Sequence, residues 1–406
     1  MATVLDSPAL THELLGAAEA LSGKLTALRR AIHAEPELGL HNPRTSAKVR
    51  EALAHLPLEW RTGSATTGMV ATLNAGKPGR SVLLRGDMDA LPMSEETGLD
   101  FASGVAGAMH ACGHDAHTAM LAGAAEILAS RAANLEGQVH FMFQPGEEGH
   151  HGARYMLDDS LLDPLPDAAY ALHVMPTGPG GMVAGRAGPL LAAADRVYIT
   201  VRGKGGHASM PHQTLDPVPV ACEIVMAFQT MVTRKFDAAD AVVLTVARIA
   251  AGTTDNVIAD ACELSGTMRT LSPTARARLK EEIAQLATGI AAAHGLSADV
   301  RIEEGFPVTI CDPRAVDFGE RVAAELFGPH AFHRMRDPIM GAEDFAYVLE
   351  KVPGAMFFLG VAHEGADLAS CCGLHSTRMV LDEGVLPKGA ALLAALAERF
   401  LAEGFA

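Results

Sequence analysis

The sequence predicts an α/β protein: a mixed-sheet domain with helices on both faces, interrupted by an inserted ferredoxin-like α+β domain. Short apolar runs alternate with helix-period segments through the first part of the chain. The texture then changes to strand-helix-strand-strand-helix-strand, the split order of ferredoxin-like domains. Segments rich in Gly and Pro bracket that stretch, Gly178 to Gly188 before it and Gly305-Phe306-Pro307 after it.

Leu25 to Ile32 and Arg44 to Leu56 carry apolar residues at helical spacing and predict amphipathic helices. Met69 to Leu73, Ser81 to Leu84, Gln138 to Phe143 and Ala168 to Leu172 are short apolar runs and predict strands. A helix-like run, Ala119 to Leu128, falls between them. Such alternation implies βαβ units with a sheet covered on both sides. In the insert, Arg196 to Val201, Ala241 to Ile249, Ala261 to Thr270 and Ala298 to Glu303 predict strands. Pro217 to Val232 and Pro273 to His294 predict its helices. The larger domain is therefore expected over 1–189 and 306–406, with the insert over 190–305.

Bulk properties agree. A chain of 406 residues suffices for two domains, and 49% apolar content fills their cores. No apolar run approaches the ~18 residues that span a bilayer. Met1 to Ala18 contains Asp6 and Glu13 and lacks a basic start before an apolar stretch, unlike a secretory signal. Six irregularly spaced cysteines do not form a disulfide framework, so a reducing cytoplasm is the expected setting. The net charge of −16 argues against nucleic-acid and anionic-membrane partners.

The richest segment is Met109-His110-Ala111-Cys112-Gly113-His114-Asp115-Ala116-His117-Thr118. In an extended chain Cys112 and His114, two apart, face one point. Thiolate and imidazole together suit a borderline-soft divalent ion: zinc, nickel, cobalt or manganese. Three further segments carry ligand-type residues: Phe143 to Gly149 with Glu147-Glu148, Ala171 to Val174 with His173, and Gly373 to Ser376 with His375. Each is expected where a strand hands over to a loop, as at sites in open α/β sheets. The set Cys112, His114, Glu148, His173 and His375 is too rich for one tetrahedral ion with an open position. It fits two ions sharing a bridging ligand. Glu147 then remains as a carboxylate beside the metal site, the group a hydrolase uses as general base. Asp89 either holds a ligating imidazole from behind or forms the turn after its strand. His110 and His117 read as structural residues, and Cys371 and Cys372 as small packing residues.

At these residues, and in further ordered blocks, the chain resembles the amidohydrolase branch of the M20 metallopeptidases. That branch holds hippurate hydrolase, N-acyl-amino-acid aminoacylases and plant auxin-conjugate hydrolases. The blocks include Leu28-Arg29-Arg30 with His33, Pro36-Glu37-Leu38-Gly39, Arg85-Gly86-Asp87-Met88-Asp89-Ala90-Leu91-Pro92, Gly206 to His212 and Gly341 to Phe345. Two segments depart from the family: Leu40 to Thr45 lacks an acidic residue before the threonine, and Cys371-Cys372 replaces other small residues or proline. The resemblance implies a dinuclear metallohydrolase whose insert serves as dimerisation or lid domain. It implies that His207 reaches across a dimer interface to the scissile carbonyl, and that Asn256 and Arg269 hold the substrate carboxylate. A guanidinium suits a carboxylate, and a histidine donor suits an oxyanion. The implied reaction is hydrolysis of N-acyl amino acids by a homodimer with two divalent ions per subunit, zinc first, with manganese, cobalt or nickel as alternatives. A dipeptidase or carboxypeptidase is the alternative within the class, and a metal-binding protein without catalysis the alternative outside it. Glu147 speaks against the last, since a pure binding site needs no extra carboxylate.

Overall fold

The computed structural model describes residues 7–369 and 372–405. The chain divides into two compact units. The first comprises the chain up to Leu190, Ile310–Asp337 and everything from Asp344 onward; the second comprises Leu191–Thr309 and Pro338–Glu343. The sequence assigns Pro338–Glu343 to the larger domain, but it belongs with the second unit. There Ala192 N–H bonds to the carbonyls of Ile339 (3.2 Å) and Gly341 (2.8 Å). Pairing between segments so distant in sequence leaves no local pattern to read.

The first unit is built on an eight-stranded mixed sheet. Its order is Leu58–Thr62, Met69–Leu73, Gly137–Gln144, Arg80–Asp87, Ala168–Pro179, Gly354–Ala362, Val183–Gly185 and Phe332–Arg334. The four central strands run parallel, and the first two pair antiparallel. Central strands are buried on both faces, with Val82, Leu83 and Leu84 fully enclosed, as parallel sheets require. Gly86 permits close packing of the helix His114–Ser130, because a Cβ there would lie 2.9 Å from the His117 carbonyl.

Three elements differ from expectation. The helix predicted over Arg44 to Leu56 spans Pro43–Ala52. Pro57 disfavours a helical Leu56, and the chain turns into the edge strand Leu58–Thr62. A first helix, Ser7–Ala20, precedes the predicted ones. The strand expected to end at Leu172 continues to Pro179, pairing in parallel with Gly354–Ala362. His173 therefore stands within a strand, not at its exit.

The second unit has a four-stranded antiparallel sheet, ordered Val242–Ala251, Ala261–Thr270, Ala193–Arg202 and Ser297–Glu303. With the helices Pro217–Lys235 and Pro273–Ala293 this makes the split β-α-β-β-α-β arrangement. Asp216 and Ser272 cap the two helices through their side chains, each followed by a proline in the first turn. One sheet face is buried: Val197, Ile199 and Val201 pack against Ile224, Phe228, Leu279 and Ile283. Among the described residues no helix is long and apolar enough to cross a membrane.

Candidate metal centre

The Cys112-Gly113-His114 turn is the nucleus of the site. His114 opens the helix, and Gly113 before it has φ +87°. A Cβ on Gly113 would lie 2.3 Å from Val174 Cγ2, so only glycine fits. Cys112 and His114 thus converge through a left-handed turn, and the extended-chain alternation expected from sequence does not apply.

Backbone groups orient the imidazoles. His114 Nδ1 donates to the Asp89 carbonyl at 2.8 Å. His173 Nδ1 donates to the Val174 carbonyl at 2.7 Å. A carbonyl only accepts, so both rings carry a proton on Nδ1, and each ring when neutral keeps the Nε2 lone pair for a ligand. Burial opposes protonation of His114, but Asp87 and Cys112 outweigh it and hold that imidazole well above its usual range. His173 Nε2 lies 3.5 Å from Cys112 Sγ. Nε2 of the buried His114 has no hydrogen-bond partner of sound geometry. It lies 3.6 Å from Asp87 Oδ2, 3.9 Å from Glu148 Oε1 and 4.0 Å from Glu147 Oε2. The Asp89 carboxylate accepts the amides of Glu147 (2.9 Å) and Glu148 (3.1 Å), pinning the turn that presents both acids. Asp89 therefore orients His114 with its main chain and the acidic pair with its side chain. His375, at φ +62°, donates its amide to the Ala111 carbonyl at 2.8 Å. Its Nε2 lies 3.3 Å from Glu148 Oε1.

Donor atoms form overlapping groups: Cys112 with His114 and His173, Cys112 with Glu148 and His375, and His114 with Glu147 and Glu148. The expected ligands are thus brought together, with Cys112 common to two groups. The electrostatics call for cations. Burial pushes the Cys112 thiol up, so a thiolate there needs positive charge beside it. Burial holds His173 well below its usual range, as a neutral ligand. Cys112 and Glu148 push His375 up to about 10. Burial opposes ionisation of Glu148, but His375 and His114 outweigh it and hold its carboxyl low. A buried thiol, carboxylates and imidazoles with an unpartnered His114 Nε2 fit a borderline-soft divalent ion.

His117 is not a ligand candidate, although it lies near Asp87 and His114. Its Nδ1 donates to Asp87 Oδ1 (2.6 Å) and its Nε2 accepts the Val174 amide (2.8 Å), so no lone pair remains. Asp87, which the sequence did not single out, also accepts from Arg85 at 2.5 Å. Its bond to His117 joins segments thirty residues apart and has no local signal. His110 is buried, and burial lowers it to about 3. Cys372 is half-buried, while Cys371 lies outside the described residues.

In the second unit, His207 pairs across a short ladder with Val257, next to Asn256, whose carbonyl accepts the Ala208 amide at 3.1 Å. His207 is exposed, and its Nδ1 accepts the Ser209 amide at 3.2 Å. The neutral ring then carries its proton on Nε2 as a donor. Arg269 does not join them. It stands at the far end of the Ala261–Thr270 strand, about 26 Å from Ala261 by strand rise. Burial lowers the Arg269 guanidinium's pKa.

An α/β sheet carrying a clustered thiol, imidazoles and acids is the architecture of a metal-binding hydrolase. The chain belongs to peptidase family M20/M25/M40, matching it over residues 83–399. It is 36% identical over 377 residues to thermostable carboxypeptidase 1 of Saccharolobus solfataricus, covering 92% of this chain and 94% of the relative. It is 38% identical over 380 residues to IAA-amino acid hydrolase ILR1-like 2 of Arabidopsis thaliana, covering 93% and 85%. With N-acetylcysteine deacetylase of Bacillus subtilis it shares 36% over 380 residues, covering 93% and 97%. A crystal structure of a putative aminohydrolase from methicillin-resistant Staphylococcus aureus superposes with TM-score 0.91 at 31% identity, covering 96% of this chain and all of the other. A Bacillus subtilis dinuclear metal binding peptidase of the M20 family gives TM-score 0.81 at 34% identity, covering 94% and 99%.

Proposed function

We propose that the protein is a dinuclear metal-dependent amidohydrolase that cleaves N-acyl amino acids, N-acetyl, N-benzoyl or longer, to a carboxylic acid and a free amino acid. The observation that carries this is Glu147: a buried carboxylate beside the half-buried Glu148 at the ligand cluster, its amide pinned by Asp89. Cys112, His114, Glu148, His173 and His375 are the proposed ligands. Two divalent ions held there, zinc foremost and manganese, cobalt or nickel in its stead, would acidify a water and polarise the acyl carbonyl. Glu147 takes the water's proton as oxygen attacks, then delivers it to the leaving amine. His207 donates from Nε2 to the developing oxyanion. Arg269 holds the substrate carboxylate.

His207 acts on a neighbouring subunit's site in this reading, and Asn256 holds the substrate carboxylate together with Arg269. A homodimer formed through the inserted domain, acting as dimerisation and lid domain, would supply that histidine, in the cytoplasm. The likeness to a deacetylase and an auxin-conjugate hydrolase supports amide substrates with a free carboxylate. The likeness to a carboxypeptidase favours a second reading, cleavage of C-terminal residues from peptides.

Release of free amino acid from N-acetyl, N-benzoyl and peptide substrates, with and without chelator, tests both. Turnover of acylated amino acids that chelator abolishes and metal restores is the expected result. Turnover of peptides alone would select the carboxypeptidase, and activity indifferent to chelator would overturn both.

A further inference from the structure

The Leu28-Arg29-Arg30 and His33 block has no part in the site described, yet it forms a buried ion network beside it. Arg29 and His33 lie four residues apart on the helix Ser22–His33, and hence on one face. Arg29 is buried; its Nε donates to Asp115 Oδ2 at 2.7 Å and its Nη1 to Glu383 Oε1 at 3.0 Å. His33 Nδ1 lies 2.7 Å from the same Asp115 oxygen, and its Nε2 lies 3.2 Å from Glu95 Oε1. Both ring nitrogens of His33 face carboxylates, and although burial and Arg29 Nη2, 3.3 Å from Nδ1, oppose protonation, Asp115 and Glu95 outweigh them and raise the imidazole's pKa. Arg30 adds a paired contact to Glu383. Two arginines and this imidazole thus meet the three anions Asp115, Glu95 and Glu383.

Two of these anions belong to segments tied to the metal centre. Asp115 follows His114 in the first helical turn. Glu95 precedes Glu96, whose amide donates to the Thr377 carbonyl at 2.7 Å and whose carboxylate accepts from Thr377 Oγ1 at 2.9 Å. Thr377 lies two residues beyond His375. Glu383 opens the 3₁₀ turn that leads into the last helix, Leu386–Glu403. The network therefore braces the His114 turn and the His375 segment against one helix.

We propose that Arg29 and His33 are positioning residues of the metal centre, holding the Cys112–His114 turn and the His375 segment at the spacing that ions require. This rests on the metal-centre reading and is independent of the substrate. Outer partners of ligands are worth about 10–100-fold in metal affinity. Loss of a network that only stabilised the fold would lower the melting temperature alike with and without metal, and leave the affinity unchanged.

The test uses the full chain, stripped of metal and titrated with zinc against a chromophoric chelator, and separately loaded with cobalt to record the thiolate absorption band. In Arg29→Met and His33→Ala, zinc affinity should fall by about 10-fold or more, with a weakened or shifted cobalt band. Arg29→Lys should recover part of the loss, since lysine keeps the charge but not the fork of donors. If Arg29→Met fails to fold, His33→Ala, which leaves Arg29 on Asp115, decides alone. Folded variants with the affinity and cobalt spectrum of a zinc-binding parent overturn the proposal only. A parent that takes up no zinc overturns the metal centre, and the proposal with it.

Discussion

Gly113→Ala probes the turn on which the whole cluster depends. The residue has φ +87°, a conformation that costs an L-residue about 1–2 kcal/mol. The added methyl would lie 2.3 Å from Val174 Cγ2, against ordinary carbon contacts of about 3.5–4.0 Å. Val174 is fully buried and cannot swing aside, and overpacking of this kind costs about 1–3 kcal/mol. A total of roughly 2–5 kcal/mol follows. The strain also reaches the ligands, because the Val174 amide donates to His117 and its carbonyl holds His173. Zinc content should fall together with stability. Chemical denaturation of parent, Gly113→Ala, Val174→Ala and the double variant measures the clash directly. Removing the Val174 methyls should make the double variant about 1–3 kcal/mol more stable than the summed single effects, leaving the dihedral cost behind. Gly113→Ala within about 0.5 kcal/mol of the parent, with full metal content, would refute the left-handed turn and the close approach alike.

Glu147→Gln should keep its metal and lose at least ~10²-fold in turnover; kinetics beside elemental analysis check this, and near-normal turnover of metal-replete protein rejects the base assignment. Cys112→Ala should lose metal and activity together, whereas Cys112→Asp should retain part of both, since a carboxylate can also bridge; full occupancy in Cys112→Ala would make Cys112 a packing residue. Mixing inactive Glu147→Gln and His207→Ala proteins should restore activity through mixed dimers with one intact site, and no recovery despite proven subunit exchange would return His207 to its own chain. Burial, aided by Arg61, lowers His140 from 6.5 to about 4, so the unfolded chain binds that proton first as pH falls. Its contribution to stability should therefore be lost between about pH 6.5 and 4, on the order of 3 kcal/mol at about 1.4 kcal/mol per pH unit. Urea denaturation of the parent and His140→Gln across that range should show a shallower pH dependence in the variant; parallel profiles would count against it.

What sequence could reveal here was what is local. The runs Met69–Leu73 and Ala261–Thr270 are strands with the bounds that periodicity and punctuation predict. Pro217 and Pro273, each behind a capping residue, mark helix starts that the structure keeps. Cys112, His114, Glu148, His173 and His375 were legible as ligand types, and the fold brings them within reach of one another. Everything set by distant pairing was hidden. His173 lies mid-strand because Gly354–Ala362 extends the ladder beside it. Asp87 matters through His117 and Arg85, and Arg29 through Asp115.

Which histidines can bind metal follows from what each ring nitrogen meets. His114, His117 and His173 form one cluster of tilted and edge-on rings, with centroids 4.5 to 6.3 Å apart. His114 and His173 spend Nδ1 on main-chain carbonyls, which fixes the tautomer and leaves Nε2 with a lone pair. His117 has the same tautomer, imposed by Asp87, but its Nε2 lone pair is taken by the Val174 amide. One backbone N–H thus separates a structural histidine from two ligand candidates of the same type and burial. Val174 connects the roles: its amide disables His117, its carbonyl orients His173, and its side chain excludes any residue but glycine at 113. The selectivity of the site is therefore set by the main chain at Val174 and Asp89 together with the Asp87 carboxylate that fixes the His117 tautomer.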